Sequence, residues 1–140
     1  MRIRRYITGL LGCFLIVAGC GSDVKVTGKV TFEDGQPLTT GRVCFQSEKL
    51  FADGPLQKDG TYTLGSLGEN TGLPKGKYQV FIAGAETPPQ PVIVGGQVNL
   101  LGRFIPGKPL IHQKFTDRMT SGLTCEVKGR TVYDIQVTPP

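Results

Sequence analysis

Few residues of this sequence could act as acid, base or nucleophile. His112 is the only histidine of the 140 residues, and Asp117, Thr120 and Ser121 follow it in an irregular segment. A serine nucleophile needs a histidine base that a third group holds in position, and nothing in the sequence places Ser121 or Asp117 at His112. We predict a solvated loop histidine, and side-chain-to-backbone hydrogen bonds from the other three residues that close a turn. No catalytic residues and no enzymatic activity are predicted.

The cysteines could form a disulfide or hold a metal. Of the four cysteines, Cys44 and Cys125 lie within the predicted domain. Cys44 alternates with two apolar neighbours and should face away from the core, whereas Cys125 shares the strand parity of Leu123 and Val127 and should face inward. Outside the cytoplasm such a pair can oxidise, and a bulge would be needed to bring the two together. A Cys44–Cys125 disulfide and two unpaired thiols therefore both remain open.

Metal-ligating residue types are also sparse. Asp34, Asp53 and Asp59 each precede a glycine, which is ordinary turn chemistry, and they lack the dense spacing of acids in a calcium loop. One histidine and two cysteines of opposite parity do not suit a tetrahedral zinc site. We predict no metal and no cofactor.

The N-terminus has the layout of a secretory signal. Arg2, Arg4 and Arg5 precede an apolar stretch, and small residues follow it at Ala18 and Gly19. The uncharged run from Tyr6 to Ser22 has 17 residues, which is the lower limit of the roughly 17–25 that span a bilayer. An uncleaved transmembrane helix is thus the alternative.

The stretch from Leu15 to Cys20 resembles the lipobox of bacterial lipoproteins. The resemblance implies cleavage between Gly19 and Cys20 and two or three acyl chains on Cys20, which makes covalent lipid the expected modification. Gly21 follows the cysteine, where aspartate usually marks inner-membrane retention, so the resemblance favours the outer membrane over the inner membrane. The implied division is a signal peptide over 1–19, a lipidated tether over 20–23 and one domain over 24–140.

The domain shows strand periodicity and no helical one. Val24 to Glu33 alternates cleanly, and shorter alternating runs recur between glycine and proline turns. We predict strands at 24–33, 41–46, 61–64, 77–83, 92–94, 98–101, 122–128 and 131–137. Residues 47–60 and 102–121 are predicted loops. The pattern indicates an all-β sandwich.

Three stretches resemble the opening and middle strands of carboxypeptidase-regulatory-like domains. They are Val26–Phe32 with Gly35–Leu38, then Gly41–Phe45, then Asp59–Leu64 followed by Leu73–Val80. The tail over 114–127 is similar to that of small bacterial lipoproteins that carry this domain. The resemblance implies a transthyretin-like, or prealbumin-like, Greek-key sandwich of about seven strands. The related hydroxyisourate hydrolases use several histidines and a different C-terminus, which counts against that activity.

These observations favour a non-catalytic, membrane-anchored envelope lipoprotein whose sandwich is a structural or protein-interaction module. The alternative is a surface module that binds glycan or peptide through loops 47–60 and 102–121, since loops often carry binding sites. The mature sequence has 13 basic and 11 acidic residues of scattered sign, so no nucleic-acid partner is expected. The expected partners are the membrane, through the lipid, and an envelope protein or glycan.

Overall fold

The fold is built from strands. The structure, a computed structural model, describes residues 23–65, 71–98 and 104–140. Within these ranges the chain is all-β apart from one 3₁₀ turn at Gln113–Thr116. The strands form two four-stranded sheets and two short two-stranded ladders. The all-β prediction is therefore confirmed, in a sandwich-like form. The predicted signal peptide and the lipidated cysteine lie outside the described residues.

The described residues contain twelve strands. In chain order they are β1 Val26–Phe32, β2 Arg42–Gln46, β3 Phe51–Pro55, β4 Thr61–Thr63, β5 Gly76–Ala83, β6 Gln90–Pro91, β7 Ile93–Val94, β8 Gln97–Val98, β9 Phe104–Ile105, β10 Leu123–Val127, β11 Thr131–Val132 and β12 Ile135–Val137.

The first sheet is organised around β1. This strand pairs antiparallel with β4 on one side and parallel with β11 and β12 on the other. Its alternation buries Val26 and Val30 completely and leaves Lys29 exposed, as its period-two pattern predicts. β1 thus contributes one face to the core and one to solvent.

The second sheet has the order β10-β5-β2-β3 and is antiparallel throughout. Its inner face carries Phe45, Val80 and Ile82, each fully buried. Paired residues of an antiparallel ladder point to the same side, so the pairing of Cys44 with Phe81 puts both on the outer face. The predicted outward parity of Cys44 is therefore confirmed.

The prediction of a loop over 47–60 is wrong in its middle part, because Phe51–Pro55 forms the edge strand β3. Asp53-Gly54-Pro55 has the composition of a turn. Gly54 instead lies where a Cβ atom would stand 2.2 Å from the carbonyl oxygen of Thr63, so glycine is needed there for close approach of β3 and β4. Pro55 ends an edge strand, where a missing N–H is tolerated.

The predicted loop over 102–121 also contains regular structure. Phe104–Ile105 forms β9, which pairs with β6, and Gln113–Thr116 forms the 3₁₀ turn. Phe115 of that turn is buried in the core. This segment is therefore partly packed rather than irregular throughout.

The predicted last strand, 131–137, is interrupted at Tyr133 and Asp134, which separate β11 from β12. The N–H of Lys29 on β1 donates to Oδ1 of Asp134 at 2.9 Å. A side chain thus replaces a backbone acceptor at this point of the ladder.

One apolar core lies between the two sheets. Its members come from both sheets and from the connections between them, including Leu38, Leu73 and Ile111. Every described buried side-chain nitrogen or oxygen has a hydrogen-bond partner. None of the described helical residues forms a segment of the length and apolarity that crossing a membrane requires.

Candidate functional site

The residues with acid–base chemistry form a turn. His112 is exposed, and its Nδ1 accepts a hydrogen bond from the backbone N–H of Lys114 at 3.2 Å. Oδ1 of Asp117 accepts from the N–H of Met119 at 2.7 Å, and the hydroxyl of Thr120 donates to the carbonyl of Lys114 at 2.8 Å. These bonds confirm the predicted turn-closing role of Asp117 and Thr120.

Ser121 is buried, and the hydrogen bonds of its hydroxyl do not involve His112. Its hydroxyl donates to the carbonyl oxygen of Val80 at 2.5 Å and accepts from the N–H of Leu123 at 3.2 Å. Both hydroxyl functions are therefore used to join the start of β10 to β5. The bond from Leu123 is the kind of local contact that was predicted, whereas the bond to Val80 joins two strands and was not predicted.

Cys44 and Cys125 are both free in the structure. Cys125 pairs with Tyr78 on the inner face and belongs to the core. Cys44 is on the outer face, as its parity predicts, yet it is only 2% exposed. Because the two thiols lie on opposite faces of one sheet, the structure does not bring them together.

The outer face around Cys44 is covered by its neighbours. The guanidinium of Arg42 donates to the Asp53 carboxylate beside it. The rings of Phe51 and Phe81 meet at a centroid distance of 6.4 Å, with their planes tilted by 45°. Burial, and then the negative charge of Asp53, raise the pKa of the Cys44 thiol to about 11. Cys44 is accordingly a protonated, unreactive thiol at neutral pH.

The aspartates next to glycine have two different roles. Oδ1 of Asp34 accepts from the N–H of Gln36 at 3.0 Å, and Oδ1 of Asp59 accepts from the N–H and hydroxyl of Thr61 at 3.0 and 2.6 Å. The Thr61 bonds lower the pKa of Asp59. Turn chemistry is confirmed for these two and wrong for Asp53, which lies within β3 and pairs with Arg42.

Among the described residues no group of three or more His, Cys, Asp or Glu could hold a metal.

An open polar groove lies on the outer face of the second sheet, with a volume of about 760 Å³. The turn after β2 forms one wall, and Arg118 and the outer residues of β10 form the other. Its lining is mixed in charge, with Lys49, Lys77 and Arg118 beside the acids Glu48 and Glu126, and it includes the aromatic residue Tyr78. The groove could take a polar ligand.

Four of the large exposed apolar side chains belong to one segment of the chain. Ile93, Val94, Phe104 and Ile105 are 66%, 64%, 60% and 55% exposed. They belong to β7 and β9, within the segment that leaves the body after Ala85 and returns at Leu110. We call its described residues, 86–98 and 104–109, the arm.

The arm is joined to the body at its base and pairs only with itself. The N–H of Thr87 donates to the carbonyl of Lys108 at 2.9 Å, and the N–H of Leu110 donates to Ala85 at 2.9 Å. Beyond this base, β6 pairs with β9 and β7 with β8. None of the described arm residues belongs to the core. The arm therefore presents apolar side chains without burying them.

The sequence prediction missed the arm as a surface. It predicted strands at 92–94 and 98–101, and the structure pairs β7 with β8 through Ile93–Val94 and Gln97–Val98, while residues 99–101 lie outside the described residues. The overlooked signal is charge: from Thr87 to Gly107 the sequence has one charged residue, Arg103, and no acid. Eight or more apolar residues in such a stretch, with prolines that prevent a central strand, indicate an exposed apolar surface.

The two ends of the sandwich differ in what they carry. At one end β1 begins beside the segment before β5, since Val24 and Leu73 exchange backbone hydrogen bonds of 2.7 and 2.9 Å. The end of β10 and the start of β11 lie there too, because Val127 pairs with Gly76 and Thr131 with Val26. We call this the tether end, since the described chain starts here at Asp23.

The arm leaves from the opposite end. β5 finishes at Ala83, and Ala85 accepts from Leu110 at the arm's return. Two residues after Leu110, the N–H of His112 donates to the carbonyl of Thr138 at 2.9 Å, and Thr138 directly follows the end of β12. The eight residues of β5 span about 26 Å, so roughly that distance separates the tether end from the base of the arm.

Exposed cationic side chains surround the tether end. They are Lys25, Lys75, Lys77, Lys128 and Arg130. Two acids lie among them, Asp23 and Glu126, and Glu126 is 3.7 Å from the ammonium of Lys128. The described residues at this end thus carry five positive and two negative charges, whereas the described residues elsewhere include seven basic and eight acidic side chains.

The predicted cleavage and lipidation sites, Gly19 and Cys20, lie outside the described residues. The sequence matches no protein-family model and no curated protein. Among solved structures it is similar to a DUF3823 family protein from Bacteroides ovatus, with a TM-score of 0.46 and 19% identity over 84% of this chain and 45% of that chain. The chain spans less than half the length of that protein.

Proposed function

We propose that this chain is a non-catalytic, membrane-anchored envelope lipoprotein whose β-sandwich acts as a protein-interaction module, with the arm as its contact surface. Lipid on Cys20 is the anchor, and the outer membrane is its location. The sandwich is assigned to the carboxypeptidase-regulatory-like domains with transthyretin-like Greek-key topology. The lipobox resemblance supports the anchor, and the alternating strands with their ordered turns support the family.

The observation that carries the interaction role is the arm. Four large apolar side chains that are more than half exposed, on strands that contribute nothing to the core, stabilise the free monomer very little. A concentration of exposed apolar side chains on one segment is typical of protein contacts. An aromatic and three branched aliphatic residues also suit the apolar centre of an interface.

The position of the arm favours a protein partner over the membrane that holds the anchor. The arm leaves the sandwich at the end opposite the tether end. The length of β5 puts these two ends about 26 Å apart. A domain held at Cys20 therefore presents the arm away from its own membrane. The partner we propose is an envelope protein with an apolar groove or a free strand edge that accepts the arm.

Site-specific photocrosslinking in intact cells tests this proposal. A photoreactive residue replaces Ile93 on the arm, or Val132 as a control, since Val132 is equally exposed at 69% but lies on β11. We expect one envelope protein to crosslink at position 93 and not at 132, and to be lost in Phe104→Ser. No crosslink at 93, or the same products from both positions, would contradict the arm as contact surface.

Membrane fractionation of Cys20→Ala tests the anchor separately. We expect the wild type in the outer-membrane fraction and the variant released from it. A variant that stays in the membrane fraction would show that the N-terminal segment is a transmembrane helix.

The groove supports a second candidate, the binding of glycan or peptide. Residues from both predicted binding loops line it, Ser47 to Lys49 on one side and Arg118 on the other. Its polar lining suits a hydroxyl-rich or peptide ligand. Glycan-array and peptide screens with the wild type and with Arg118→Ala test it, and screens that stay blank would remove it.

A further inference from the structure

We propose that the tether end is a docking surface for anionic phospholipid headgroups, so that the domain lies on its membrane in one orientation with the arm directed outward. This inference deepens the proposed function, since it takes Cys20 as the anchored residue. It adds a second, electrostatic contact between the folded domain and the lipid surface.

The length of the tether brings the two surfaces together. Three residues, Cys20 to Ser22, precede the first described residue, Asp23. A chain of that length reaches about 10 Å when fully extended. The Debye length at physiological ionic strength is about 8 Å, so even a fully extended tether holds the first described residue at little more than one Debye length from the headgroups.

The charge of this surface has the sign that anionic lipid requires. Five exposed cationic side chains surround the point where the chain enters the sandwich, against two acids. One of those acids, Glu126, already pairs with Lys128. Each Lys or Arg near an anionic membrane strengthens binding about fivefold, so the net excess of three favours anionic over neutral vesicles by about a hundredfold.

The distribution of charge then determines orientation. The other described residues include eight acids and seven bases, so they carry no net positive charge that would compete with the tether end. The strands run from the tether end toward the arm, and a domain that rests on the tether end therefore raises the arm by about the length of β5, roughly 26 Å. Lipid docking at one end and protein contact at the other are compatible in a single orientation.

Vesicle flotation of the mature, unlipidated chain tests the proposal. The chain comprises residues 20–140 with Cys20→Ser, and it retains the whole described core, whose members lie between Val24 and Val137. The vesicles contain phosphatidylcholine alone or with one-third phosphatidylglycerol. We expect strong preference for the anionic vesicles at low salt, declining as NaCl is raised and unaffected by inorganic phosphate at low concentration.

Two charge-matched variants locate the contact. Lys75→Gln with Lys128→Gln removes two cations from the tether end, and Lys29→Gln with Lys58→Gln removes two exposed cations elsewhere. We expect the first pair to weaken binding to anionic vesicles by more than tenfold, at about fivefold per charge. The second pair should change it less than threefold. Equal thermal unfolding midpoints establish that both variants are folded.

Three results would overturn the proposal. They are equal binding to both kinds of vesicle, equal losses in the two double variants, and salt-independent binding that Phe104→Ser abolishes. The last of these would assign membrane contact to the arm. Since the assay contains no lipid on Cys20, its result is independent of the Cys20→Ala fractionation, and a failed anchor can be told apart from a failed docking surface.

Discussion

The hydroxyl of Tyr62 on β4 donates a hydrogen bond to the backbone carbonyl oxygen of Tyr133, at 2.5 Å and across 71 positions of the sequence. Tyr133 is where the last strand leaves its regular ladder with β1. Burial raises the pKa of the Tyr62 hydroxyl far above its usual value, so it remains a hydrogen-bond donor at neutral pH. Tyr62 thus satisfies a carbonyl on the far side of β1.

Removing this donor should destabilise the fold. Tyr62→Phe leaves the Tyr133 carbonyl without its partner, which costs about 1–3 kcal/mol. Urea unfolding measures the loss. Tyr133→Phe is the control, because it keeps the ring contact with Phe45 at 5.9 Å, and we expect a change below about 0.5 kcal/mol. Equal effects of the two substitutions would show that the bond contributes nothing.

Because glycine has no side chain, Gly28 lets β1 lie close to both Tyr62 and Tyr133. A Cβ atom there would lie 1.9 Å from the Tyr133 carbonyl oxygen and 2.8 Å from the Tyr62 ring. Gly28→Ala therefore forces β1 away from the last strand, at a cost of about 3 kcal/mol or more. Gly129→Ala, which meets no atom within 4 Å, should be nearly neutral. Thermal unfolding of both variants checks the contrast. A mild effect of Gly28→Ala would mean that β1 and the last strand can move apart at little cost.

The stability of the protein should fall in alkaline solution, partly through Cys44. Its pKa is raised from 9.0 to about 11 in the folded state, so above the ordinary thiol pKa the unfolded chain binds fewer protons than the folded one. This contribution is fully present below about pH 9 and is lost as pH rises toward about 11, to a total of about 2–3 kcal/mol.

Unfolding free energies from about pH 8 to about pH 11 measure this slope in the wild type and in Cys44→Ala. We expect the slope to be shallower in the variant. Asp53→Asn should lower the pH at which the Cys44 thiolate appears, since the Asp53 charge helps to raise that pKa, and absorbance of the thiolate reports it. A thiolate that forms at the ordinary thiol pKa would show that Cys44 is solvated.

Arm substitutions should separate binding from stability. Ile93→Ser and Phe104→Ser change side chains that are 66% and 60% exposed, so unfolding free energy should move by less than about 0.5 kcal/mol. Ile82→Ala, in the core, should cost about 2–5 kcal/mol. We expect loss of the envelope crosslink in the arm variants alone. Large destabilisation by Ile93→Ser would indicate that the arm is part of the fold.

Much of the fold was predictable because strand alternation is a local property. Val26 and Val30, or Val80 and Ile82, share a face through two-residue spacing, and a half-buried strand needs no knowledge of its partner. β3 was missed because Asp53-Gly54-Pro55 has turn composition, and only the approach of Thr63 explains the glycine. A contact between segments of this kind leaves no periodic signal in either one.

The candidate surfaces were less accessible to sequence reasoning. The low charge of the segment around Ile93 is visible in the sequence, but its exposure depends on the core being complete without it. Lys25, Lys75 and Lys128 lie far apart in the chain and form one charged surface only because Val24 pairs with Leu73 and Gly76 with Val127.

By itself, the sequence determined the all-β class, the faces of the main strands and the turn roles of Asp34 and Asp59, because each depends on neighbours within a few residues. Tertiary structure alone decided that Asp53 pairs with Arg42, that Tyr62 binds the Tyr133 carbonyl and that the arm and the cationic tether end lie at opposite ends. These relationships join distant segments, and their geometry is set by strand pairing and by which apolar faces the core has room to bury.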